Sequence, residues 1–296
     1  MNKYIKEIAL IHGLKYKDNK FIKNIRLRSL DGFDEDFLNE METKDLPYPL
    51  KTSHLLSRIV NFNDKGDYDD EKYEENRALD MVKNMIIGDR TYLMFIVRQL
   101  TYGDAIYFDV QCSLCNNTMS IALSINTILG NILSNQNKSE ILIDERTGFY
   151  DVKFSSDCIA KIRLLNGLDQ ENIIVYDMNE IKLLKSCIVN IDSIGHERLL
   201  DNKFVNAINS TLSEIDPLSQ IILTLNCPSC NASFKIPFIV EDFFFKEIQS
   251  RKKNLEYEIH WLALNYHWSE SEILTLPVSK RRRYVELVNN TVEGSE

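Results

Sequence analysis

Two stretches decide how this chain folds: Asp109-Val110-Gln111-Cys112-Ser113-Leu114-Cys115-Asn116 and Thr224-Leu225-Asn226-Cys227-Pro228-Ser229-Cys230-Asn231. Each sets a Cys-x-x-Cys turn between runs rich in β-branched and aromatic residues. These runs are 105–110 and 118–123 around the first turn, and 220–225 and 233–238 around the second. Such runs read as strands, so each pair of cysteines sits at the tip of a hairpin. A tight turn of this kind exposes backbone N–H groups that support thiolates. It brings two sulfurs to one point, and two such turns supply four soft ligands, the tetrahedral set that structural zinc prefers. The reading is therefore one structural Zn2+ per chain, held by Cys112, Cys115, Cys227 and Cys230. Iron could use the same four thiolates. A redox dithiol would place its Cys-x-x-Cys where a strand enters a helix, which the strand-like residues after Cys115 and Cys230 disfavour. Unmetallated buried thiols are the remaining alternative.

The two hairpins are the last of three matches that recur in order. Arg28, Leu30, Gly32 and Asp34 reappear as Arg163, Leu165, Gly167 and Asp169, at an offset of 163 − 28 = 135. Each segment reads as a strand ending in a turn, Asp31-Gly32 or Asn166-Gly167, before an acidic helix start. Ser57-Arg58-Ile59-Val60-Asn61 then matches Ser186-Cys187-Ile188-Val189-Asn190, and the cysteine pairs follow at 227 − 112 = 115. Shrinking offsets imply a duplicated unit whose second copy has shorter connections.

Composition bounds the rest. The chain has 296 residues, 44% hydrophobic and 27% charged, and its apolar runs are far too short to cross a membrane. The first residues show no signal-peptide pattern, so synthesis and assembly in the cytoplasm are expected, where thiols stay reduced. A net charge of -9 argues against general nucleic-acid binding, which rests on neutralising phosphates. Acidic residues collect at Asp64, Asp67, Asp69, Asp70, Glu71, Glu74, Glu75 and Asp80, read as an exposed connection. The basic runs Arg251-Lys252-Lys253 and Lys280-Arg281-Arg282-Arg283 read as solvated helix surface.

After Val240 the pattern turns helical. Phe244, Ile248, Leu255, Ile259 and Leu262 space one long helix over 241–267. Ser269-Glu270-Ser271-Glu272 fits a capping box, Pro277 ends that short helix, and Ser279 is expected to cap a last one. The tail from Val292 reads as frayed. Cys158 and Cys187 read as small buried hydrophobes. His260 and His267 share a helix face without a visible ligand partner, and Asp34, Glu35, Asp169 and Glu171 read as helix-start carboxylates. There is no Gly-rich phosphate loop, no Gly-x-Ser-x-Gly and no His-Glu-x-x-His, so no enzyme and no small-molecule substrate are expected.

Further residues carry a resemblance. Ile87-Gly88-Asp89-Arg90, Arg98 and Leu100-Thr101-Tyr102-Gly103-Asp104 precede the first cysteine pair. The chain ends with Glu258-Ile259-His260-Trp261, Tyr266-His267-Trp268-Ser269-Glu270 and Arg281-Arg282-Arg283-Tyr284. From about Arg26 to Leu287 the chain resembles the baseplate hub assembly proteins of T-even-type contractile phage tails and their relatives in contractile injection systems. It departs from that pattern at Ser113, where proline is usual, and at Asn116 and Asn231, in the place of a glycine; asparagine tolerates the left-handed conformation needed there. The resemblance implies a non-enzymatic role in building, or forming part of, a baseplate and hub, with hub or spike proteins as partners. Transient assembly and retention in the finished particle both remain open. Trp261, Trp268, Arg281, Arg282, Arg283 and Tyr284 are the expected partner contacts, being residue types enriched at interface hot spots. A zinc-ribbon regulatory or nucleic-acid-binding protein is the alternative, and it would need a basic face.

The resulting expectation is an α+β fold: a first unit over 1–135 with an acidic insertion at about 63–80, a second over 136–240, and a helical interaction segment over 241–296. A zinc-ribbon-like site joins the two units.

Overall fold

The computed structural model describes residues 5–16, 20–62, 71–134, 142–144, 147–155, 158–176, 179–192 and 202–293. The fold is mixed, with small antiparallel sheets set among helices, as the α+β reading expects. Strands β1 (Ile5–Tyr16) and β2 (Lys20–Arg28) form a hairpin, to which β3 (Val60–Asn61) adds after helices α1 (Gly32–Thr43) and α2 (Tyr48–Ile59). Helices α3 (Glu71–Asn84) and α4 (Ile87–Tyr102) lead to the first cysteine hairpin, β4 (Ala105–Gln111) and β5 (Thr118–Ser124), and then to α5 (Ile125–Ser134). A four-stranded sheet follows, β6 (Leu142–Asp144), β7 (Phe149–Ser155), β8 (Cys158–Ile162) and β9 (Ile188–Asp192), with α6 (Gly167–Val175) and α7 (Glu180–Cys187) between its last two strands. Helix α8 (Asn202–Ile215) precedes the second cysteine hairpin, β10 (Ile222–Asn226) and β11 (Ser233–Pro237). Four helices close the chain: α9 (Val240–Ser250), α10 (Lys252–Tyr266), α11 (Glu270–Leu274) and α12 (Val278–Glu293).

One local construction occurs twice. At the starts of α1 and α6, Asp31 and Asn166 cap the helix, each in a reciprocal capping box with the third helical residue, Asp34 or Asp169. An arginine at the end of the preceding strand, or one residue past it, closes on that same aspartate. Arg28 reaches Asp34 at 2.5 and 3.1 Å, and Arg163 reaches Asp169 at 2.6 and 2.8 Å. Such forked pairs bind with two parallel charge-assisted bonds. The sheet partners also correspond: Arg26 lies opposite Asn61, and Lys161 opposite Asn190.

Each of these helix starts receives a second helix start. Val278 N donates to Leu30 O at 3.2 Å, and Ile87 N donates to Leu165 O at 3.0 Å. Four residues into each docking helix comes an arginine buried on a glycine: Arg281 beside Gly32, and Arg90 beside Gly167. A Cβ at Gly167 would overlap the Arg90 guanidinium, so only glycine leaves room for the approach. Arg281 is 1% exposed and bonds both Glu35 and Glu258. Arg90 donates instead to the carbonyls of Val82 and Pro49 and to Ser53 Oγ, whose hydroxyl reaches Glu171 at 2.5 Å. Burial without a direct carboxylate lowers the Arg90 pKa to about 10.

The main core mixes distant parts of the chain. Ile25, Leu27, Leu55, Phe95 and Ile106 pack with Leu218, Ile221, Phe238, Phe244 and Val278. The second cysteine hairpin and the C-terminal helices thus share the core of the N-terminal residues, and no core boundary falls at 240. A smaller core, with Val152, Ile162, Leu184 and Ile208, lies under the four-stranded sheet, and a third gathers Leu262, Ile273 and Val285.

Several local expectations need correction. The helix expected over 241–267 breaks at Arg251, so that Phe244 and Ile248 face the main core while Leu262 joins the third cluster. The acidic connection contains helix α3, whose end buries Met81 and Val82; residues 63–70 lie outside the described ones. The capping box at Ser269 and Glu272 is present, whereas α12 already starts at Val278, so Ser279 lies inside the helix instead of capping it. The side chains of Cys158 and Val292, and residues 294–296, lie outside the described set.

Candidate metal centre

The two cysteine turns are built alike. The last ladder pairs are Gln111 with Thr118 and Asn226 with Ser233. Beyond them Cys112 N donates to Asn117 O at 2.9 Å and Asn116 N to Cys112 O at 3.0 Å. Cys227 N and Asn231 N make the equivalent bonds, to Ala232 O and Cys227 O, each at 2.9 Å. Asn116 and Asn231 hold φ of 57 and 58°, in the left-handed region. Asparagine reaches that region at less cost than most residues, which explains how the turns form without glycine.

The four sulfurs of Cys112, Cys115, Cys227 and Cys230 lie within 4.8 Å of one another. Across the hairpins, Cys112 Sγ is 3.8 Å from Cys230 Sγ, and Cys115 Sγ is 3.6 Å from Cys227 Sγ. Asn117 Nδ2 donates to Ser229 Oγ at 2.7 Å, a second link between the tips. Cys112 and Cys227 are buried, while Cys115 and Cys230 are exposed. The N–H groups of Cys230 and Ser229 draw the Cys227 thiol down to about 6 against its desolvation, and those of Cys115 and Leu114 lower Cys112. The Ala232 N–H supports a thiolate on Cys230, yet desolvation and the sulfurs of Cys115, Cys227 and Cys112 push that thiol up to about 12. Four thiols at one point cannot all ionise without a cation between them, and a divalent ion supplies it. The donor set therefore fits a metal ion. Strands β5 and β11 follow the second cysteines, so neither turn has the helix N-terminus of a redox dithiol.

The hairpins meet the rest of the molecule through aromatic rings. Phe238 lies 5.6 Å from Phe108 and 6.1 Å from both Phe95 and Phe243, which seats both strands on α4 and α9. An open cleft of about 740 Å³ runs between β4, β11 and α9, over Phe108, Phe238 and Phe243. Most charged groups that line it are paired: Arg98 forks onto Glu247 at 3.0 and 3.1 Å, and Lys246 meets Asp242 at 2.9 Å, while Asp109 accepts from the Ser120 hydroxyl at 2.6 Å.

The C-terminal candidates divide. Arg281 is spent inside the chain on Glu35 and Glu258 and presents no surface, which corrects its expected role as a contact; the charge run hid a buried ion pair. Arg282 is half-buried, 3.4 Å from Glu258 and over the Tyr102 ring. Arg283 is exposed. Trp268 stacks on Tyr266 at 4.8 Å and meets Tyr284 edge-on at 5.1 Å, while Trp261 stacks on Tyr257 at 5.9 Å; Trp261, Trp268 and Tyr284 are partly buried against the third core, and Tyr257 and Tyr266 are exposed. His260 is exposed, and His267 ends α10 at φ 57°.

Sequence reasoning missed a buried polar joint between the two larger cores. Asp89 accepts from Ile11 N at 2.6 Å and Gly13 N at 2.9 Å, holding the irregular middle of β1. Burial holds the Asp89 carboxyl above its ordinary range despite these bonds and the nearby His12. His12 sits 3.2 Å from Asp216, which also accepts from Gly88 N at 2.9 Å, and 3.3 Å from Tyr150 Oη. Only the Gly88-Asp89-Arg90 run hinted at it. Comparison with family models, with curated proteins and with solved structures found no match to this chain.

Proposed function

We propose that the chain is a non-enzymatic assembly factor or structural component of the baseplate and hub of a contractile phage tail or contractile injection system, braced by one structural zinc. The observation that carries the metal part is the cluster of four sulfurs within 4.8 Å, two from each hairpin. Four thiolates at one point suit zinc and leave no open position for substrate, so the ion contributes folding energy and no chemistry. The repeated Arg28–Asp34 and Arg163–Asp169 constructions favour descent from a duplicated unit, with the zinc-ribbon-like clasp joining its copies. The tail assignment rests on the residue resemblance, chiefly the Tyr266-His267-Trp268-Ser269-Glu270 stretch.

The partner surface in this reading lies on α10 and α12. Tyr257, Leu264 and Leu287 are exposed there beside Trp261, Trp268 and Arg283. A regulatory nucleic-acid reading loses ground, because Arg281 and Arg282 are engaged with carboxylates and leave Lys280 and Arg283 as the cluster's exposed charges. Elemental analysis should find one zinc per chain. Co-purification from particles produced with the complete gene set should recover the chain bound to hub or spike proteins. Leu264→Asp with Leu287→Asp should abolish that recovery without unfolding the protein. A folded double variant that still assembles normal particles would sink the proposed surface.

A further inference from the structure

We propose that the cysteine clasp is a redox-convertible cross-link, in which peroxide replaces the metal by two disulfides running between the hairpins, Cys115 to Cys227 and Cys112 to Cys230. The inference rests on the metal reading above and extends it to what the four residues do under oxidation. The cross-hairpin geometry suits this pairing. Cys115 Sγ lies 3.6 Å from Cys227 Sγ and Cys112 Sγ 3.8 Å from Cys230 Sγ, and Asn117 Nδ2 to Ser229 Oγ, at 2.7 Å, holds the two tips in that register. The turns oppose the alternative: each cysteine turn is closed by its own backbone bonds, with Asn116 and Asn231 held in the left-handed conformation. Access is present, since Cys115 and Cys230 are exposed and each is one member of a different cross-hairpin pair. Each pair thus offers one reachable sulfur and one buried sulfur behind it, the arrangement in which an exposed sulfenic acid is resolved by a neighbouring thiol.

The chemistry balances with hydrogen peroxide as oxidant. Peroxide takes an electron pair from Cys115 Sγ, giving a sulfenic acid and water. Cys227 Sγ then attacks that sulfur, forming the S–S bond and expelling hydroxide, which solvent protonates to water. The same two steps join Cys230 and Cys112. Two peroxides and four protons are consumed, four waters form, and the divalent ion leaves because disulfide sulfur no longer binds it. The result keeps the hairpins tied after the metal is gone. Pairing within each Cys-x-x-Cys would release them instead.

The experiment treats the full-length, metal-loaded chain with hydrogen peroxide, blocks residual thiols, and maps disulfides by peptide mass spectrometry without reduction. Released metal and lost thiols are counted in parallel. The expected result is linked peptides carrying Cys115 with Cys227 and Cys112 with Cys230, loss of four thiols and release of one ion. The oxidised chain should also keep its melting temperature in EDTA, where the reduced chain loses it. Cys112→Ser with Cys230→Ser keeps one pair and should give a single Cys115–Cys227 link. Dominant Cys112–Cys115 and Cys227–Cys230 links, or sulfinic acids without disulfides, would overturn the proposal. Metal analysis of the chain as purified, with the same oxidation run on chelated chain, separates the two ideas: no metal as purified removes the zinc reading, while the disulfide map of the chelated chain still decides this one.

Discussion

Replacing Arg281 by alanine should cost far more than a surface mutation in a run of four basic residues would suggest. Its guanidinium is 1% exposed and meets Glu258 at 2.6 Å and Glu35 directly, while the side chains of those carboxylates are 8% and 6% exposed. Removing one partner of a buried pair strands the charge that remains, at a cost of about 3–5 kcal/mol. Among the described residues Glu35 keeps only the Tyr102 hydroxyl, at 2.9 Å, and Glu258 only Arg282, at 3.4 Å, and part of the space over Gly32 empties as well, so the lower part of that range is expected. Urea unfolding followed by tryptophan fluorescence suits the question, because Trp261 and Trp268 both lie beside α12. Arg281→Met paired with Glu258→Gln should recover part of the loss, with a coupling of about 1–3 kcal/mol between the two sites. If Arg281→Ala changes stability by less than about 1 kcal/mol, the keystone role argued from burial and pairing is wrong.

Removing the metal with a chelator, or replacing Cys227 by Ser, should lower hydrogen-exchange protection in β4–β5 and β10–β11 together; loss confined to one hairpin would refute the clasp. Gly167→Ala should destabilise by about 1–3 kcal/mol, since the Arg90 guanidinium fills the space and must shift; unchanged urea midpoints would contradict the close approach. Desolvation pushes Cys187 from 9.0 up to about 11 and Tyr150 from 10.0 up to about 12. Both raised values favour the protonated form in the folded state. This contribution is full below about pH 9 and is lost as pH rises to about 12, through first the unfolded and then the folded values. Thermal melts that stay flat over that range would count against it. Cys187 should also resist alkylation at pH 8 in the native protein and react once urea is added.

Much of the local chemistry was legible along the chain. The hairpins around both cysteine pairs, the helix starts after Asp31-Gly32 and Asn166-Gly167, and the Ser269 capping box depend on residues a few positions apart, so spacing alone announces them. The break at Arg251 was not legible, because the apolar spacing runs through it and only packing separates Phe244 from Leu262. Arg281 shows the same limit from the other side: a basic run looks solvated until Glu35, 246 residues away, is placed against it.

The sequence by itself determined the four candidate ligands, the recurrence of Arg28–Asp34 as Arg163–Asp169, and the alternation of helix and strand, because each is written in residue type and short-range spacing. Only the tertiary structure decided that the four sulfurs converge within 4.8 Å, that sulfurs of different hairpins come within 3.6 and 3.8 Å of each other, and that α12 plugs the start of α1 as α4 plugs the start of α6. Those facts depend on contacts between residues more than seventy positions apart. Such contacts are selected by how well buried surfaces and charges satisfy one another, and local pattern carries no record of it.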